Sequence, residues 1–429
     1  MYDRFKNQKY KNCTKINLLN FSWYFAKKIG LGKTSSNHLS RTIIRIGQFA
    51  VAIGIIVALV TLSTGIGARK EIKQKLADFN GHITIRPYNS NLSYNSDSIS
   101  LPKSYYPQFP LDEIEHIQAI ATKNGIIRTA DAFDGVVLKG VDQNFDKKRF
   151  QKFIQKGQIP SYNKQVSEEV IVSQKIANNF YLDIDSTFVM VFVNEKQIQA
   201  KPIYRKFKVA GIYTTDIAEF DNVYIIGDIK QVQKINHWSN NEVGGFELFA
   251  HDVESNLDEV KHEVNEVIGY NLLAESAMDL FRDIEEWINI FDTNIFIILF
   301  IMLIVVIINM VMILLILILE RTHSIGVLKT LGATNIQVRQ VFINYALFIM
   351  LPGMIAGNVI AIGLLLIQKY YGIIQLPPEN YFIKEAPVYL TWEMILYVNL
   401  GSLIISAIAL WFPSLLIQRI SPSKAMKIG

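Results

Sequence analysis

Four long runs without a charged residue constrain this chain more than any other feature. They are Ile46–Ala68, Thr293–Leu319, Gln340–Gln368 and Met394–Gln418, and none contains Asp, Glu, Lys or Arg. A helix needs about 20 residues to cross a hydrocarbon core of about 30 Å. Each run meets that length, which a buried helix of a soluble protein seldom does. The sequence therefore predicts a multi-pass α-helical membrane protein with four transmembrane helices.

The basic residues give the orientation of these helices. The 45 residues before the first run hold ten Lys and Arg and one acidic residue, Asp3. The 419–429 tail holds three basic residues and no acid, whereas segment 67–290 has 32 acidic and 25 basic residues. Lys and Arg collect on the cytoplasmic side of membrane proteins. Both termini and the loop between the second and third runs are therefore predicted to be cytoplasmic. The long insertion after the first helix is then predicted to lie outside the membrane.

The predicted organisation follows from these boundaries. It consists of a cytoplasmic N-terminal segment (1–45), transmembrane helices at 46–68, 293–319, 340–368 and 394–418, an external domain (69–292), a cytoplasmic loop (320–339), an external loop (369–393) and a cytoplasmic tail (419–429). Asn17–Gly30 is aromatic and then basic, which favours an interfacial helix lying on the membrane. A disordered tail is the alternative for that segment.

The external domain has the pattern of an α+β fold. Extended patterns occur at His82–Arg86, Gly135–Lys139, Thr187–Val193, Lys206–Tyr213 and Gly245–Ala250. Helical patterns occur at Asp112–Asn124, Glu168–Tyr181, Asp228–Ile235 and Leu257–Ile268. No regular βαβ alternation is present, which favours α+β over a doubly wound sheet. The amphipathic segment Asn271–Asp292 runs directly into the second hydrophobic run, so a continuous helix could connect the domain to the membrane.

The sequence contains no pattern typical of a catalytic or metal site. Its seven histidines are scattered without the spacing of metal ligands. Gly30–Thr34 reads GLGKT, but Lys27 stands where a phosphate-binding loop needs its first glycine. We therefore predict no catalytic residue, no metal site and no cofactor bound by this chain. Any energy for its work would come from a partner.

Glu320–Thr334 (ERTHSIGVLKTLGAT) is the most informative short stretch. It directly follows the second hydrophobic run and is amphipathic. Gly326 and Gly332 leave room for close approach or a turn. A short helix at the cytoplasmic membrane face is what a soluble motor protein needs as a contact point. The alternative is a tight basic connector.

This stretch resembles the coupling-helix signature of the FtsX-like and MacB-like permeases, the membrane subunits of type VII ABC transporters. Ser324 stands where the family usually has a second glutamate, which removes a charge that could pair with the ATPase. The resemblance implies that contact with an ATPase falls on Glu320, Arg321, Ser324, Ile325, Gly326, Leu328, Lys329, Leu331, Gly332 and Ala333.

Further segments resemble the lipoprotein-releasing LolC/LolE permeases within that family. They are Pro377–Val388 (PPENYFIKEAPV), Phe207–Asp221 (FKVAGIYTTDIAEFD), Arg149–Asp185 and Pro413–Met426 (PSLLIQRISPSKAM). The resemblance covers nearly the whole chain, and Pro377–Val388 is the element most specific for this branch. The large domain between the first two helices agrees with it.

The resemblance implies a mechanism and a set of partners. Two such permeases, identical or paralogous, would pair in the bacterial inner membrane above two copies of an ABC ATPase that binds ATP and Mg. ATP binding would push the coupling helices, and the second transmembrane helix would pass that movement to the periplasmic domains. A lipoprotein would thereby be extracted from the membrane and released to a periplasmic carrier.

The implied lipid or substrate site lies between the first two helices. Its candidate residues are Phe49, Ile53, Ile56 and Val60 on the first helix and Ile298, Met302 and Val305 on the second. Ordinary helix packing or lipid contact is the alternative for such stripes. Gly353 and Gly357 form a GxxxG pair, for which helix packing is predicted. Asn309, in the second run, is predicted to make an interhelical hydrogen bond.

Two other functions remain open at this point. An efflux permease for small molecules or peptides is one alternative, although such relatives often carry a fused ATPase domain that this chain lacks. A non-transporting FtsX-like regulator of cell-wall hydrolases is the other, although its external domain is usually much smaller.

Overall fold

The computed structural model describes residues 38–88, 94–128, 133–163, 165–193, 201–251, 256–411 and 413–415. The predicted interfacial helix at Asn17–Gly30, the Gly30–Thr34 stretch and most of Pro413–Met426 lie outside these residues. The chain divides into two compact units. The membrane unit comprises Met1–Gly67, Ile290–Ile373 and Pro387–Gly429, and the sheet unit comprises Ala68–Asn289 and Ile374–Ala386.

Among the described residues, helices make up most of the membrane unit and cover part of the sheet unit. In chain order they are α1 (His38–Asn80), α2 (Lys147–Phe150), α3 (Gln174–Asn179), α4 (Ala218–Asp221), α5 (Ile229–Asn236), α6 (Leu257–Ile268), α7 (Ala277–Leu280), α8 (Arg282–Glu320), α9 (Thr322–Thr330), α10 (Asn335–Tyr371), α11 (Pro378–Tyr381) and α12 (Trp392–Trp411). Four of them, α1, α8, α10 and α12, are long and apolar enough to cross a membrane. The prediction of four transmembrane helices is confirmed.

Three of these helices are much longer than a membrane requires. Helix α1 has 43 residues, α8 has 39 and α10 has 37. At about 1.5 Å per residue each is roughly 60 Å long, about twice the hydrocarbon core. The sequence predicted a continuous helix only for α8. In α1 the charged stretch after Ala68 hides a further helical segment, whose Ile72 and Leu76 are fully buried one turn apart.

A ten-stranded mixed sheet forms the centre of the sheet unit. The described residues form twelve strands, and all except β2 and β10 belong to this sheet. In chain order they are β1 (Ile83–Pro87), β2 (Ile99–Ser100), β3 (Ile114–Arg128), β4 (Phe133–Val141), β5 (Ile154–Gly157), β6 (Glu169–Ser173), β7 (Thr187–Phe192), β8 (Ile203–Tyr213), β9 (Tyr224–Asp228), β10 (Glu242–Val243), β11 (Gly245–Ala250) and β12 (Leu272–Ser276). The order is β12-β1-β11-β3-β4-β9-β6-β8-β5, with β7 paired to β3 and β8. Strands β2 and β10 form a separate pair.

Most neighbouring strands of the large sheet are antiparallel. The β4–β9 and β6–β8 pairs are parallel. Helices α5 and α6 pack on the sheet through apolar faces, with Val232, Val264 and Ile268 buried. The predicted α+β class of the inserted domain is confirmed.

The helix predicted at Asp112–Asn124 is wrong, because this segment belongs to strand β3. Its apolar residues Ile114, Ile117 and Ile120 recur every three positions and so imitate a helix. Strand β3 lies between β11 and β4, and most of its side chains are buried on both faces. A central strand of this kind lacks the alternation that identifies a half-exposed strand.

Other predicted elements of this domain agree with the structure fully or in part. The extended pattern at Gly245–Ala250 and the helical pattern at Leu257–Ile268 match β11 and α6. The helix predicted over Glu168–Tyr181 is partly wrong, because strand β6 occupies its first half. Helix α3 begins only after Ser173, whose hydroxyl accepts a hydrogen bond from the backbone N–H of Ile176. Within Asn271–Asp292, a strand and the short α7 come before α8.

Candidate functional site

The segment Glu320–Thr334 folds as a short helix between two transmembrane helices. Helix α9 begins at Thr322, directly after Arg321, and ends at Thr330. Gly332 has a φ of +90°, a conformation that glycine adopts readily, and the chain turns there. Thr334 then caps α10: its hydroxyl accepts from the Gln337 backbone, and the Gln337 side chain bonds back. The sequence prediction of a short helix here is confirmed.

Helix α9 has one face packed on the membrane unit and one face exposed. Ile325 is fully buried in the same apolar cluster as Val338 and Phe342. Leu328 and Ala333 pack against that cluster, and Gly326 is also buried. The exposed apolar side chains are Val327, Leu331 (79% exposed) and Ile336. This loop therefore presents an apolar surface to the solvent beside a firmly packed base.

The other residues predicted for ATPase contact lie in the same loop. Glu320, Arg321, Ser324 and Lys329 are half-buried, and Gly332 is exposed. The structure thus brings all ten predicted residues into one compact segment. Their contact with a partner remains a prediction.

Glycines of α1 set its packing against α8. A side chain at Gly47 would overlap Ile313, one at Gly54 would overlap Val306, and one at Gly65 would overlap Ile295. The three pairs keep one antiparallel register, because steps of seven and eleven residues forward on α1 match equal steps backward on α8. Small residues allow such close contact between transmembrane helices.

The GxxxG pair of α10 packs against α1. A Cβ on Gly353 would overlap the backbone oxygen of Gln48, and one on Gly357 would lie 2.8 Å from the backbone oxygen of Ala52. The Gln48 amide also donates to the carbonyl of Ile349 at 3.2 Å. The helix-packing role predicted for this pair is confirmed.

Polar side chains join α10 to α12. Asn358 and Asn399 exchange amide hydrogen bonds of 2.7 and 2.9 Å. Near the other end of α10, the buried Arg339 donates from Nε to the Ser414 hydroxyl at 2.7 Å and stacks over the Trp411 ring at 4.0 Å. Sequence reasoning missed these contacts, although Asn358 and Asn399 are visible as isolated polar residues in apolar runs.

The interhelical hydrogen bond predicted for Asn309 is wrong for the described residues. Its amide donates to the carbonyl of Val305, one turn earlier in α8, at 2.8 Å. This bond gives the Asn309 amide an acceptor within its own helix. Serine and threonine hydroxyls bond in the same way to a carbonyl one turn earlier in apolar helices.

The seven predicted lipid or substrate residues do not form a single pocket. Phe49 (68% exposed), Ile53, Ile298 and Val305 lie on the outer surface of the membrane unit. Ile56, Val60 and Met302 are half-buried. The outer four are available to lipid or to a second permease, whereas Met302 lines a cavity that is open on one side, where Phe300 and Tyr397 are more than half exposed.

That cavity lies among the membrane-spanning helices and has a volume of about 400 Å³. Its walls come from α1, α8 and α12, with one residue, Met350, from α10. The α12 wall consists of Tyr397, Val398, Gly401, Ser402, Ile405 and Ser406. The contribution of α12 was not predicted, because no spacing within α12 signals a cavity.

The end of α1 is anchored in the sheet unit by a buried lysine. The Lys139 ammonium, on β4, donates to the carbonyl of Phe79 at 2.5 Å and to the Asn80 side chain at 3.1 Å. It also pairs with Glu247 at 2.6 Å. Helix carbonyls at a C-terminus lack helical partners, and a cation there is favourable. Burial lowers the pKa of Lys139, and Glu247 opposes that shift.

The Ile374–Ala386 segment also belongs to the sheet unit. Asp216 accepts from Lys75 of α1 and from Lys384 of this segment, both at 3.0 Å. The Phe382 ring meets the Trp287 ring edge-on at 5.4 Å between centroids. This segment, which lies between α10 and α12 in sequence, is therefore fixed to the residues that begin α8 and end α1.

The described residues contain no group of three or more His, Cys, Asp or Glu placed to hold a metal ion. The candidate site is therefore the short, partly exposed helix α9, which lies between the long helices α8 and α10.

Two sequence families match different parts of this chain. Residues 49–266, slightly more than half of the chain, match the MacB-like periplasmic core domain. Residues 296–422 match the FtsX-like permease C-terminal domain. The chain belongs to the MacB-like and FtsX-like permease family. Permeases of this family are subunits of ABC transporters, and the ATPase and a further permease subunit are their partners.

Curated relatives match over nearly the full length of this permease. The lipoprotein-releasing system transmembrane protein LolC of Xylella fastidiosa is 21% identical over 406 residues, covering 88% of this chain and 92% of the relative. LolE of Haemophilus influenzae is 21% identical over 423 residues, covering 95% and 99%. The resemblance to LolC/LolE permeases is confirmed.

Among solved structures, the periplasmic region of MacB from Actinobacillus actinomycetemcomitans is similar to part of this permease. It is 14% identical, covers 47% of this chain and 92% of its own, and has a TM-score of 0.33. The family assignment rests on the two sequence-family matches, at residues 49–266 and 296–422.

Proposed function

We propose that this permease extracts lipoproteins from the bacterial inner membrane and releases them toward the outer membrane, driven by ATP hydrolysis on a separate ATPase. The names of its LolC and LolE relatives support this substrate class. The partners would be two ABC ATPase subunits that bind ATP and Mg, a second permease subunit, a lipoprotein and a periplasmic carrier. This chain would contribute no catalytic residue.

The continuity of α8 with the α9 loop is the observation that carries the proposal. Helix α8 runs from Arg282 to Glu320, and α9 starts two residues later. Ile325 fixes α9 to the apolar cluster that also contains Leu314 and Leu317 of α8. A push on the exposed face of α9 would therefore be transmitted to α8. Because α8 is helical over 39 residues, it can carry movement across the full membrane thickness.

Lipoprotein extraction needs this kind of external work. Removing an acyl chain from a bilayer costs about 0.8 kcal/mol for each CH₂ group. A substrate with three long chains cannot pay that cost through a few surface contacts, so the transporter must couple it to ATP hydrolysis. A membrane subunit that receives force at one side and delivers it at the other satisfies this requirement.

The proposed orientation places the sheet unit in the periplasm and the α9 loop in the cytoplasm. The excess of Lys and Arg at the N-terminus and in the tail supports it. Exposed aromatic side chains at Tyr370, Tyr371 and Trp392, near the ends of α10 and α12, fit one membrane interface. Exposed Trp411 fits the other.

Reconstitution tests the proposed function. The full-length permease, its cognate ATPase and a triacylated lipoprotein are placed in liposomes, and a soluble carrier is added outside. We expect ATP to transfer lipoprotein to the carrier, and a version of the lipoprotein without acyl chains to show no ATP-dependent transfer. ATP hydrolysis without transfer of the triacylated lipoprotein would contradict the proposal and favour an efflux permease or a regulator.

A further inference from the structure

We propose that a cavity in the sheet unit is a binding site for a small aliphatic polyamine. The cavity has a volume of about 790 Å³, which is within the range of ligand sites, about 300–1,000 Å³. All its lining residues belong to the sheet unit, and none belongs to the four uncharged runs. The proposal is therefore independent of lipoprotein extraction and of any site among the membrane-spanning helices.

The cavity has a buried base and an open mouth. Ile85, Lys139 and Glu247 line it and are fully buried, whereas Tyr94 and Asp283 line it and are exposed. A soluble ligand can therefore enter from the solvent and reach side chains that are shielded from water. Electrostatic attraction is stronger at such side chains than at an exposed surface.

The ionised side chains that line the cavity are mostly acidic. They are Asp97, Glu219, Glu247, Glu275, Asp279 and Asp283, against Arg86, Lys139 and Arg282. Lys139 balances Glu247 at 2.6 Å, and Arg86 pairs with Glu275. Lys261, outside the lining, pairs with Asp279 at 3.0 Å. The net charge of the remaining lining residues is negative, which selects a cationic ligand.

The hydroxyl of Tyr224 is a second and independent indication of a ligand. Tyr224 lines the cavity and is 7% exposed, and its hydroxyl makes no hydrogen bond to a described residue. Burial raises the pKa of Tyr224, so the hydroxyl is neutral at pH 7 and can accept a hydrogen bond. Buried polar groups in proteins are nearly always hydrogen-bonded. This hydroxyl is therefore available to a donor on a bound molecule.

Glu219 supplies an anionic acceptor in the same cavity. Its Oε2 atom is buried and has no hydrogen-bond partner among the described residues. An ammonium group has three donors and no acceptor, so it can donate both to Glu219 and to the Tyr224 hydroxyl. A neutral ligand would leave the charge of the Glu219 carboxylate uncompensated, which is unfavourable at a buried oxygen.

Aromatic and aliphatic side chains favour an organic ammonium ion over a metal ion. The Tyr94 and Tyr224 rings are nearly perpendicular, with 6.0 Å between their centroids, and aromatic faces attract ammonium groups. Leu280 and Ile284 add aliphatic surface for methylene groups. Mg²⁺ and Ca²⁺ instead need several oxygen ligands together, and no described group of acidic residues is placed to hold a metal ion.

The positions of the acidic residues favour several ammonium groups on one chain. Asp97, Glu219 and Asp283 belong to three separate segments that meet around the cavity. A flexible polyamine can contact more than one of these carboxylates at once. Each further contact is then intramolecular, so it adds affinity without a separate binding event.

Calorimetric titration of the full-length permease in a nonionic detergent tests the proposal. The probe is spermidine, titrated at an ionic strength of about 0.15 M to screen contacts between exposed charges. Tetraethylene glycol, a neutral chain, and MgCl₂ are titrated separately. We expect saturable binding of one spermidine per chain and no comparable binding of the glycol or of Mg²⁺.

Two substitutions remove the proposed acceptors without removing a hydrogen bond of the described residues. Glu219→Gln should weaken spermidine binding about tenfold or more, and Tyr224→Phe, which removes only the hydroxyl, should weaken it about three- to tenfold. Glu259→Gln and Tyr270→Phe are the matched controls, because both residues are exposed and lie outside the lining. They should bind spermidine as the wild type does. Thermal unfolding without ligand shows whether each variant is folded.

Several outcomes would overturn the proposal. They are an absence of saturable spermidine binding to the folded wild type, equal binding by the wild type and a folded Glu219→Gln variant, and binding of the glycol or Mg²⁺ as tight as that of spermidine. Equal weakening by Glu259→Gln would show a general attraction to acidic protein and would also overturn it. The liposome transfer assay reports the proposed function separately, because it contains no polyamine.

Discussion

The buried Lys139 side chain joins the end of α1 to the sheet. Its ammonium has three acceptors: the carbonyl of Phe79, the Asn80 side chain and Glu247. Glu247 also accepts from the Gln118 amide at 2.8 Å. The network is fully buried, so each charge depends on its partners.

Removing the lysine charge should therefore be strongly destabilising. We expect Lys139→Met to reduce the free energy of unfolding of the sheet unit by about 3–5 kcal/mol, because Glu247 is left as an unpaired buried charge. The double variant Lys139→Met, Glu247→Gln should recover part of this loss, since no charge remains and Gln118 keeps an acceptor. Denaturant unfolding of the full-length protein in detergent measures both. Equal stability of Lys139→Met and wild type would contradict this account of the junction.

His82 gives the sheet unit a dependence on pH. Burial, followed by the charge of Arg149, lowers the pKa of His82 from 6.5 to about 4, against an opposing effect of Glu115. The unfolded chain therefore binds a proton before the folded chain does. The contribution of neutral His82 to the free energy of unfolding is complete above pH 6.5, and it is lost as the pH falls toward 4.

We expect the sheet unit to lose about 2 kcal/mol of stability through His82 between pH 7 and pH 5. Hydrogen exchange of the full-length protein, corrected for intrinsic rates, should show reduced protection of β1 and β11 at pH 5. The control is His82→Gln, which cannot be protonated and should show a smaller pH effect. An equal effect in that variant would exclude His82 as the cause.

At the scale of elements, close glycine contacts determine how the transmembrane helices pack. Gly353 faces the backbone of Gln48, which cannot move aside as a side chain can. We expect Gly353→Leu to destabilise the membrane unit by about 1–3 kcal/mol or more through overpacking. Gly363→Leu, on the same helix but facing open space, is the control. Thermal denaturation in detergent compares them, and equal melting temperatures would contradict the packing described here.

The exposed apolar side chains of α9 and of Leu331, directly after it, are the part of the proposed coupling element that should touch the ATPase. We expect Leu331→Asp to abolish co-purification of the ATPase without loss of fold, because Leu331 is largely exposed and its side chain is not needed for packing. Gly326→Pro should also uncouple the ATPase, by breaking α9. Tyr270→Asp, at a 95% exposed residue of the sheet unit, is the control. Normal ATPase binding by both α9 variants would exclude α9 as the contact.

Elements with a strong period or a long apolar run could be predicted from the sequence, and others could not. Hydropathy was sufficient for the four transmembrane helices, and amphipathic spacing was sufficient for α6. Strand β3 was mistaken for a helix because burial on both faces removes its alternation. The extension of α1 beyond Ala68 was missed, because its charged residues resemble the end of a span.

At the scale of the whole molecule, the membrane-spanning layout and the short helix within Glu320–Thr334 were predictable, whereas the contacts that join distant segments were not. Asp216 binds lysines that are far apart in sequence, Lys75 and Lys384. Pairing of this kind depends on the order of strands in the sheet, which local patterns do not encode. The α12 cavity was missed for a similar reason, since it arises from residues of four helices together.

The central claim is that the unbroken helix α8 carries movement from the α9 loop. The most direct measurement is ATP-dependent lipoprotein transfer in liposomes by a variant with three glycines inserted between Asn289 and Ile290 of α8. A matched variant carries the same insertion after Tyr270, in an exposed turn. The account predicts that the α8 insertion preserves ATP hydrolysis but reduces transfer at least tenfold, while the control insertion leaves both unchanged. Wild-type transfer by the α8 insertion variant would contradict the claim.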